Sequence, residues 1–300
     1  KTRMEQAIHI YRNDPAPQPA NRELAALLGR MRRAAGLSKT NEKLAAYVGA
    51  HYMQVIFMTA GQLAGAVGVS QGSVSRFCIN LAFRGYNDFL HYLRECVSKE
   101  LTLPERLRYT TEQPDGVEEI LKTEHANIDA VGRILQTPEY AQLKQKLSKA
   151  KTLVLLSARM SATLLPYTFY LFNKIRSGVE SVMPGDPQWD TLELLDPKET
   201  YFLGFVFPRY ANVLLDKLRS LRAKGFDVGF LTDVNFPYME GLSAGFLRIP
   251  TTVHSIFDIY SAPILFVNLL IRDLAKESRH LKARLDRLEE IESGLYYKEP

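Results

Sequence analysis

The apolar period changes once along this chain, near residue 150, and the change divides what its two parts can become. Before it, apolar residues recur at i, i+3, i+4 spacing between glycine-containing turns: Leu24, Leu27, Leu28 and Met31, then Leu44, Ala45 and Val48. That is the stripe of short amphipathic helices, and β-branched runs are scarce. From Lys151 onward, β-rich runs at 152–156, 201–206, 227–231 and 246–249 alternate with amphipathic segments at 161–176, 211–224 and 258–275. Such alternation specifies a parallel sheet covered by helices. The expected fold class is two domains, α then α/β: an all-helical first domain and a three-layer α/β/α second domain built on a parallel sheet.

Residues 13–19 hold three prolines in seven positions, which no helix interior tolerates, so 1–21 read as a flexible arm. The first domain is placed at 22–100. Helical stretches at 117–135 and 139–149 follow Leu103-Pro104, making 101–145 a helical linker and 146–300 the second domain. A last helix at 276–292 carries dense alternating charge, as a solvated or partner-facing helix does. No internal repeat is found.

The formal charge is +5, yet residues 1–100 carry 13 Lys and Arg against 7 Asp and Glu, while residues 101–300 carry 25 against 26. The whole basic surplus lies in the first third, as in a polyanion-binding module joined to a neutral domain. The longest apolar stretch, 262–271, is broken by Pro263 and Asn268 and stops at Arg272, far short of the ~20 residues of a membrane span. With a polar opening run and no signal-type apolar core, the expectation is a cytoplasmic protein with no membrane partner. Cys78 and Cys96 have no Cys-x-x-Cys spacing or neighbouring paired His, so no metal, disulfide framework or cofactor is expected.

Residues 59–84 carry the most specific pattern. Thr59 is an N-cap for a helix of small residues, Gly68 allows a left-handed turn, and a second helix runs from Gln71 to Leu81 with Val74, Phe77 and Leu81 inward. Small Ala64 lets the two helices cross closely, which is the spacing of a helix-turn-helix. Outward lie Gln71, Ser73, Ser75, Arg76 and Asn80, hydrogen-bonding side chains plus one cation, the inventory for reading base edges in a major groove. Phosphate contacts are assigned to Arg32, Arg33, Lys39, Lys43, Arg76 and Arg84, and sequence reading to Gln71, Ser73 and Ser75.

The run Met58-Thr59-Ala60, Gly68-Val69-Ser70, Ser73-Val74-Ser75-Arg76-Phe77-Cys78 and Leu81-Ala82-Phe83-Arg84-Gly85-Tyr86 closely resembles the DNA-binding domain of the RpiR/MurR family of bacterial transcriptional regulators. In that family the stretch ends RFCRKLGF-x-G-[FY]. The resemblance takes in the upstream helix at 37–48 and, more loosely, a second half similar to the sugar-isomerase (SIS) domain the family carries, some 22–290 in all. It implies a double-stranded DNA operator, a small anionic metabolite effector and self-association as homodimer or homotetramer.

SIS domains cradle a sugar phosphate in loops rich in glycine and serine. Here the first loop reads Ser157-Ala158-Arg159-Met160-Ser161, and the second reads Val206-Phe207-Pro208-Arg209-Tyr210, resembling the FPRY subset of the family. Arg159 and Arg209 either bind an anion by bidentate pairing or hold a carboxylate such as Asp186, Asp233 or Asp258. Thr232-Asp233 ends a strand at the carboxyl edge of the sheet, where open α/β folds bind ligands. His254 and Ser255 precede the helix expected from Asp258 and face the same edge. Trp189 reads as a packing residue. The candidate effector site is thus Ser157, Arg159, Ser161, Arg209, Tyr210, Asp233, His254 and Ser255. With the hydroxyl loops gone and no Glu on a loop at that edge, no catalysis is expected. The competing readings are a sugar-phosphate isomerase and a DNA-binding protein with a ligand-free degenerate SIS domain.

Overall fold

The computed structural model describes residues 22–97, 101–112, 117–233, 242, 245–252, 256–278 and 280–296; the proline-rich arm, His254 and Ser255 lie outside them. Two compact units emerge, Lys1–Gln113 and Pro114–Pro300.

The first unit is helical: α1 Arg22–Ala35, α2 Lys39–Val55, α3 Ala60–Val67, α4 Gln71–Asn80, α5 Tyr86–Val97 and α6 Leu103–Glu112. Ser38 caps α2 by accepting the Asn41 N–H at 3.1 Å, and the buried Asn41 amide donates to the Ala34 carbonyl at 3.2 Å, which closes the α1–α2 turn. Leu24, Leu27, Leu44, Val48, Val74, Phe77, Phe89 and Leu93 from α1, α2, α4 and α5 share one core. Helix α6 differs from the expectation that helix resumes only at 117. Pro104 sits in its first turn, where a missing N–H needs no partner, and Thr102 gives both its N–H and its hydroxyl to the Glu105 carboxylate.

The second unit begins with α7 Val117–Ile134 and α8 Pro138–Lys149. It continues β1 Thr152–Ser157, α9 Leu164–Ile175, β2 Val179–Val182, β3 Thr200–Val206, α10 Asn212–Ala223, β4 Asp227–Thr232, β5 Phe246–Arg248, α11 Ser261–Glu277 and α12 Leu281–Tyr296. The sheet is parallel throughout, in the order β2-β1-β3-β4-β5. Because side chains alternate across a strand, Leu153, Leu155, Leu203 and Phe205 join Phe172 of α9 and Phe266 of α11 on one face. Val154, Leu156, Phe202 and Phe230 join Leu214 and Leu218 of α10 on the other. The three-layer α/β/α architecture is therefore as expected.

Several boundaries move. Edge strand β2 reads Val-Glu-Ser-Val and pairs only with β1, so its polar residues meet solvent and it lacks the composition of a buried strand. A 3-10 turn, Arg159–Thr163, precedes α9, which starts at Leu164 and not at 161. Helix α11 starts at Ser261, not Asp258, because Thr252 and Ile259 form an antiparallel bridge and Asp258 is buried in the approach. Helix α12 likewise starts at Leu281, not 276.

Two close approaches hold the sheet. A Cβ on Gly229 of β4 would stand 1.9 Å from the Tyr201 hydroxyl of β3 and 2.9 Å from the Gly245 carbonyl oxygen. At the amino edge, Arg176 donates to the carbonyls of Leu147 in the last turn of α8, of Ala150 and Lys151 just beyond it and of Ser177, and Arg284 of α12 donates to those of Asn173, Lys174 and Arg176 at the end of α9. These guanidiniums serve carbonyls that a helix end leaves without partners.

Candidate nucleic-acid interface and candidate ligand edge

In the first unit, the helix pair α3–α4 is fixed by local chemistry. Thr59 and Gln62 form a reciprocal capping box, with the Gln62 N–H on Thr59 Oγ1 at 3.2 Å and the Thr59 N–H on Gln62 Oε1 at 2.7 Å. Gly68 closes α3 at φ 73°, and nothing lies within 4 Å of where its Cβ would be, so conformation and not space is what calls for glycine. Ser70 then caps α4 by accepting the Ser73 N–H at 3.1 Å. The Tyr86 hydroxyl donates to the Met58 carbonyl at 2.9 Å, tying α5 to the entry of α3.

Helix α4 buries Val74, Phe77 and Cys78 and turns Gln71, Arg76, Ile79 and Asn80 outward, with Ser73 and Ser75 half-buried. Ser73 Oγ lies 2.9 Å from Ser70 Oγ and accepts from the Arg76 guanidinium at 3.3 Å, so Arg76 and Ser73 are held as one unit. Ile79, which the sequence reading passes over, is 56% exposed. The i, i+3 spacing of Val74 and Phe77 already placed it off the core. Arg32, Arg33, Lys39, Lys43, Arg76 and Arg84 are exposed, and none pairs with a carboxylate among the described residues. Burial pushes the Cys78 thiol up to about 12. Both cysteines are buried.

In the second unit, the ends of β1, β3, β4 and β5 lie side by side at the carboxyl edge, about 4.8 Å apart from strand to strand. Ser157, offered as a ligand hydroxyl, is fully buried and donates to the Phe205 carbonyl at 2.9 Å, so its proton serves the β1–β3 pair. Ser161 is buried with its Oγ 3.4 Å from the Tyr260 hydroxyl, and the Tyr260 ring lies 5.4 Å from that of Phe207. Tyr260 is thus a wall residue that the pattern-based reading does not find. Asp233, fully buried, accepts from Thr251 Oγ1 at 3.3 Å. Tyr210 is half-buried.

Arg159 and Arg209 stand out. Both are exposed, both adopt left-handed backbone, at φ 57° and 62°, and neither pairs with a carboxylate among the described residues. Left-handed backbone costs a non-glycine residue ~1–2 kcal/mol, and such strain concentrates where function keeps it. Of the carboxylates weighed as partners, Asp186 instead accepts the Met183 N–H at 2.8 Å. Trp189 is buried under the Lys217 ammonium, 5.4 Å from its ring, as a packing residue. Beside it, burial works against the charge of Glu193, but Lys217, Ser220 and Lys224 outweigh it and hold the carboxyl below its ordinary range. Among the described residues no group of His, Cys, Asp and Glu suits a metal ion, and no helix is long and apolar enough to cross a membrane.

The helix-turn-helix domain of the rpiR family matches residues 26–100. No curated protein matches the chain by sequence. Among solved structures, the Vibrio vulnificus NanR protein complexed with ManNAc-6P is 16% identical, with a TM-score of 0.50 over 91% of this chain and 100% of that one. The sugar isomerase domain of an RpiR transcription factor from Sphaerobacter thermophilus is 17% identical, with a TM-score of 0.51 over 57% of this chain and 97% of that one. At these identities the likeness is one of fold. Residues 26–100 thus match the helix-turn-helix domain of the rpiR family, and the second unit has the fold of the sugar isomerase domain of an RpiR transcription factor.

Proposed function

We propose that the protein is a DNA-binding transcriptional regulator whose second domain senses a small anionic metabolite, a sugar phosphate or related carbohydrate derivative. The observation that carries the DNA reading is α4: hydrogen-bonding side chains, one exposed apolar side chain and one cation, Arg76, with no acidic partner among the described residues, on a helix whose entry is set by Thr59, Gly68 and Ser70. Gln71, Ser73, Ser75 and Asn80 read base edges, while Arg76, Arg84, Lys39 and Lys43, with Arg32 and Arg33, neutralise phosphates. Ile79 suits a thymine methyl. Two such helices, brought by two copies of the chain, engage half-sites about 34 Å apart.

The sensing reading rests on Arg159 and Arg209, two exposed guanidiniums on left-handed backbone, with no carboxylate partner among the described residues, just beyond the ends of adjacent strands. NanR, a neighbour by fold, is seen with a sugar phosphate. Effector occupancy shifts the copies between arrangements that do or do not match the groove spacing. The second domain acts as a sensor without turnover, and incubation with aldose and ketose phosphates, followed by NMR, should show no interconversion.

The test is a duplex selected from a random library by the protein, titrated at several salt concentrations. Arg76→Ala should weaken binding to every sequence and lower the salt slope by about one. Ser73→Ala should shift preference by ~1–3 kcal/mol at one base pair. Unchanged affinity and preference in both variants removes α4 from the interface.

A further inference from the structure

The outer face of α7 is patterned to meet a second copy of itself. Val117, Leu121 and Ile128 turn apolar side chains to water, at 70%, 51% and 39% exposure. With about 3.6 residues to the turn, these three and Gly132 fall on one side of the exposed His125, while Glu118, Lys122, Asp129 and Arg133, exposed as well, fall on the other. The four charges make no ion pair among the described residues, although Glu118 and Lys122, and Asp129 and Arg133, stand one turn apart. Gly132 sits in the helix interior, where glycine costs stability, and nothing lies within 4 Å of where its Cβ would be, so the described fold gives no reason for it.

Helix geometry singles out one partner. When a second α7 is laid antiparallel across a two-fold axis at His125, the apolar half of one helix lies beside the apolar half of the other, and the charged half beside the charged half. Leu121 then comes level with Ile128 of the second copy, and Val117 with its Gly132, each within one residue's rise of ~1.5 Å. Lys122 comes level with Asp129, and Glu118 with Arg133, by the same margin. Every charge meets its opposite, and the gap at Gly132 receives a side chain. A parallel pair would instead set apolar against charged along its whole length. One helix face is a small interface, so the association should vary with concentration.

We propose that α7 is a self-recognition surface: two copies of the chain join antiparallel through it, with Lys122 of each held to Asp129 of the other and Glu118 to Arg133. This is the join that the DNA reading above, with its two copies, calls for; the test contains no DNA, so either can fail alone.

The test is sedimentation velocity of the full chain over a range of concentrations. Wild type should self-associate. Lys122→Asp sets like charges together, and so does Asp129→Lys; each alone should associate at least about tenfold more weakly, with the wild-type melting temperature kept because both positions are exposed. An equimolar mixture of the two variants restores opposite charges across the axis and should regain the wild-type association. His125→Cys should close a disulfide with its own copy under diamide, whereas wild type, whose two cysteines are buried, should not. A monomer at every concentration, single variants that associate as wild type does, or a mixture no better than its components overturns the proposal. If a variant melts lower, the cross-link decides, and its absence overturns the proposal.

Discussion

Gly229→Ala places a methyl carbon where the sheet has no room. Its Cβ would lie 1.9 Å from the Tyr201 hydroxyl oxygen and 2.9 Å from the Tyr201 ring carbon that bears it. The Gly245 carbonyl oxygen, also 2.9 Å away, is held by the Phe230 N–H at 3.0 Å and cannot retreat cheaply. Even a close C···O contact needs about 3.3 Å, so the tyrosine must move by more than an ångström. Tyr201 is 4% exposed on β3, between β1 and β4, so moving it repacks the centre of the domain. Overpacking of this kind costs ~1–3 kcal/mol. For a domain of 150–250 residues this is a fall in melting temperature of ~2–12 °C. Trp189 is the chain's one tryptophan and is buried in the second unit, so its fluorescence in urea follows that unit. Tyr201→Phe removes the oxygen but leaves the ring carbon at 2.9 Å, so the double variant should recover part of the loss. A Gly229→Ala midpoint equal to wild type, or strictly additive effects in the double variant, refutes the reasoning.

Ala82→Gly should stabilise the first domain by ~0.5–1 kcal/mol, because Ala82 sits at φ 64° and relief of left-handed strain outweighs the entropy glycine adds to the unfolded chain; an unchanged or lower thermal midpoint by circular dichroism counts against it. Buried Cys78, with its thiol pushed up to about 12, and buried Cys96 should react with Ellman's reagent only as fast as their domain opens; labelling of the native protein at the rate of a free thiol would show the burial to be wrong. Glu193, held below the ordinary carboxyl range, binds its proton less readily folded than unfolded. Its contribution is therefore complete above the ordinary carboxyl pKa and drains away as pH falls below it, so wild type should lose more stability than Glu193→Gln on acidification from about pH 5 to pH 3. Parallel pH profiles would refute that pairing.

The helix-turn-helix was legible because its determinants are local: a cap at Thr59, a left-handed position at Gly68 and inward positions at Val74, Phe77 and Leu81 all act within a turn or two. The parallel sheet was legible because its central strands are apolar on both faces. What escaped depends on distant partners. β2 is a strand only because β1 lies beside it, and α11 starts late because Thr252 pairs with Ile259. Ser157 looked like a ligand hydroxyl until the register set it against Phe205. Glu124 reads in sequence as one more solvated glutamate of an amphipathic helix, and nothing local announces that its carboxylate is buried.

The caps made by Arg176 and Arg284 have an evolutionary consequence. In a parallel sheet, the loops that can meet a ligand emerge at one edge and the returns of the helices gather at the other. Here the return edge is riveted by two guanidiniums that together serve seven backbone carbonyls around the ends of α8 and α9. Rigidity is thus vested in the half of the domain opposite the edge proposed to meet an effector. Loops at 158–163 and 207–211 are left free to diverge, so, in the proposed sensing role, a lineage can exchange one effector for another without refounding the scaffold. Selection for new specificity should leave Arg176 and Arg284 in place while rewriting the strand ends opposite them.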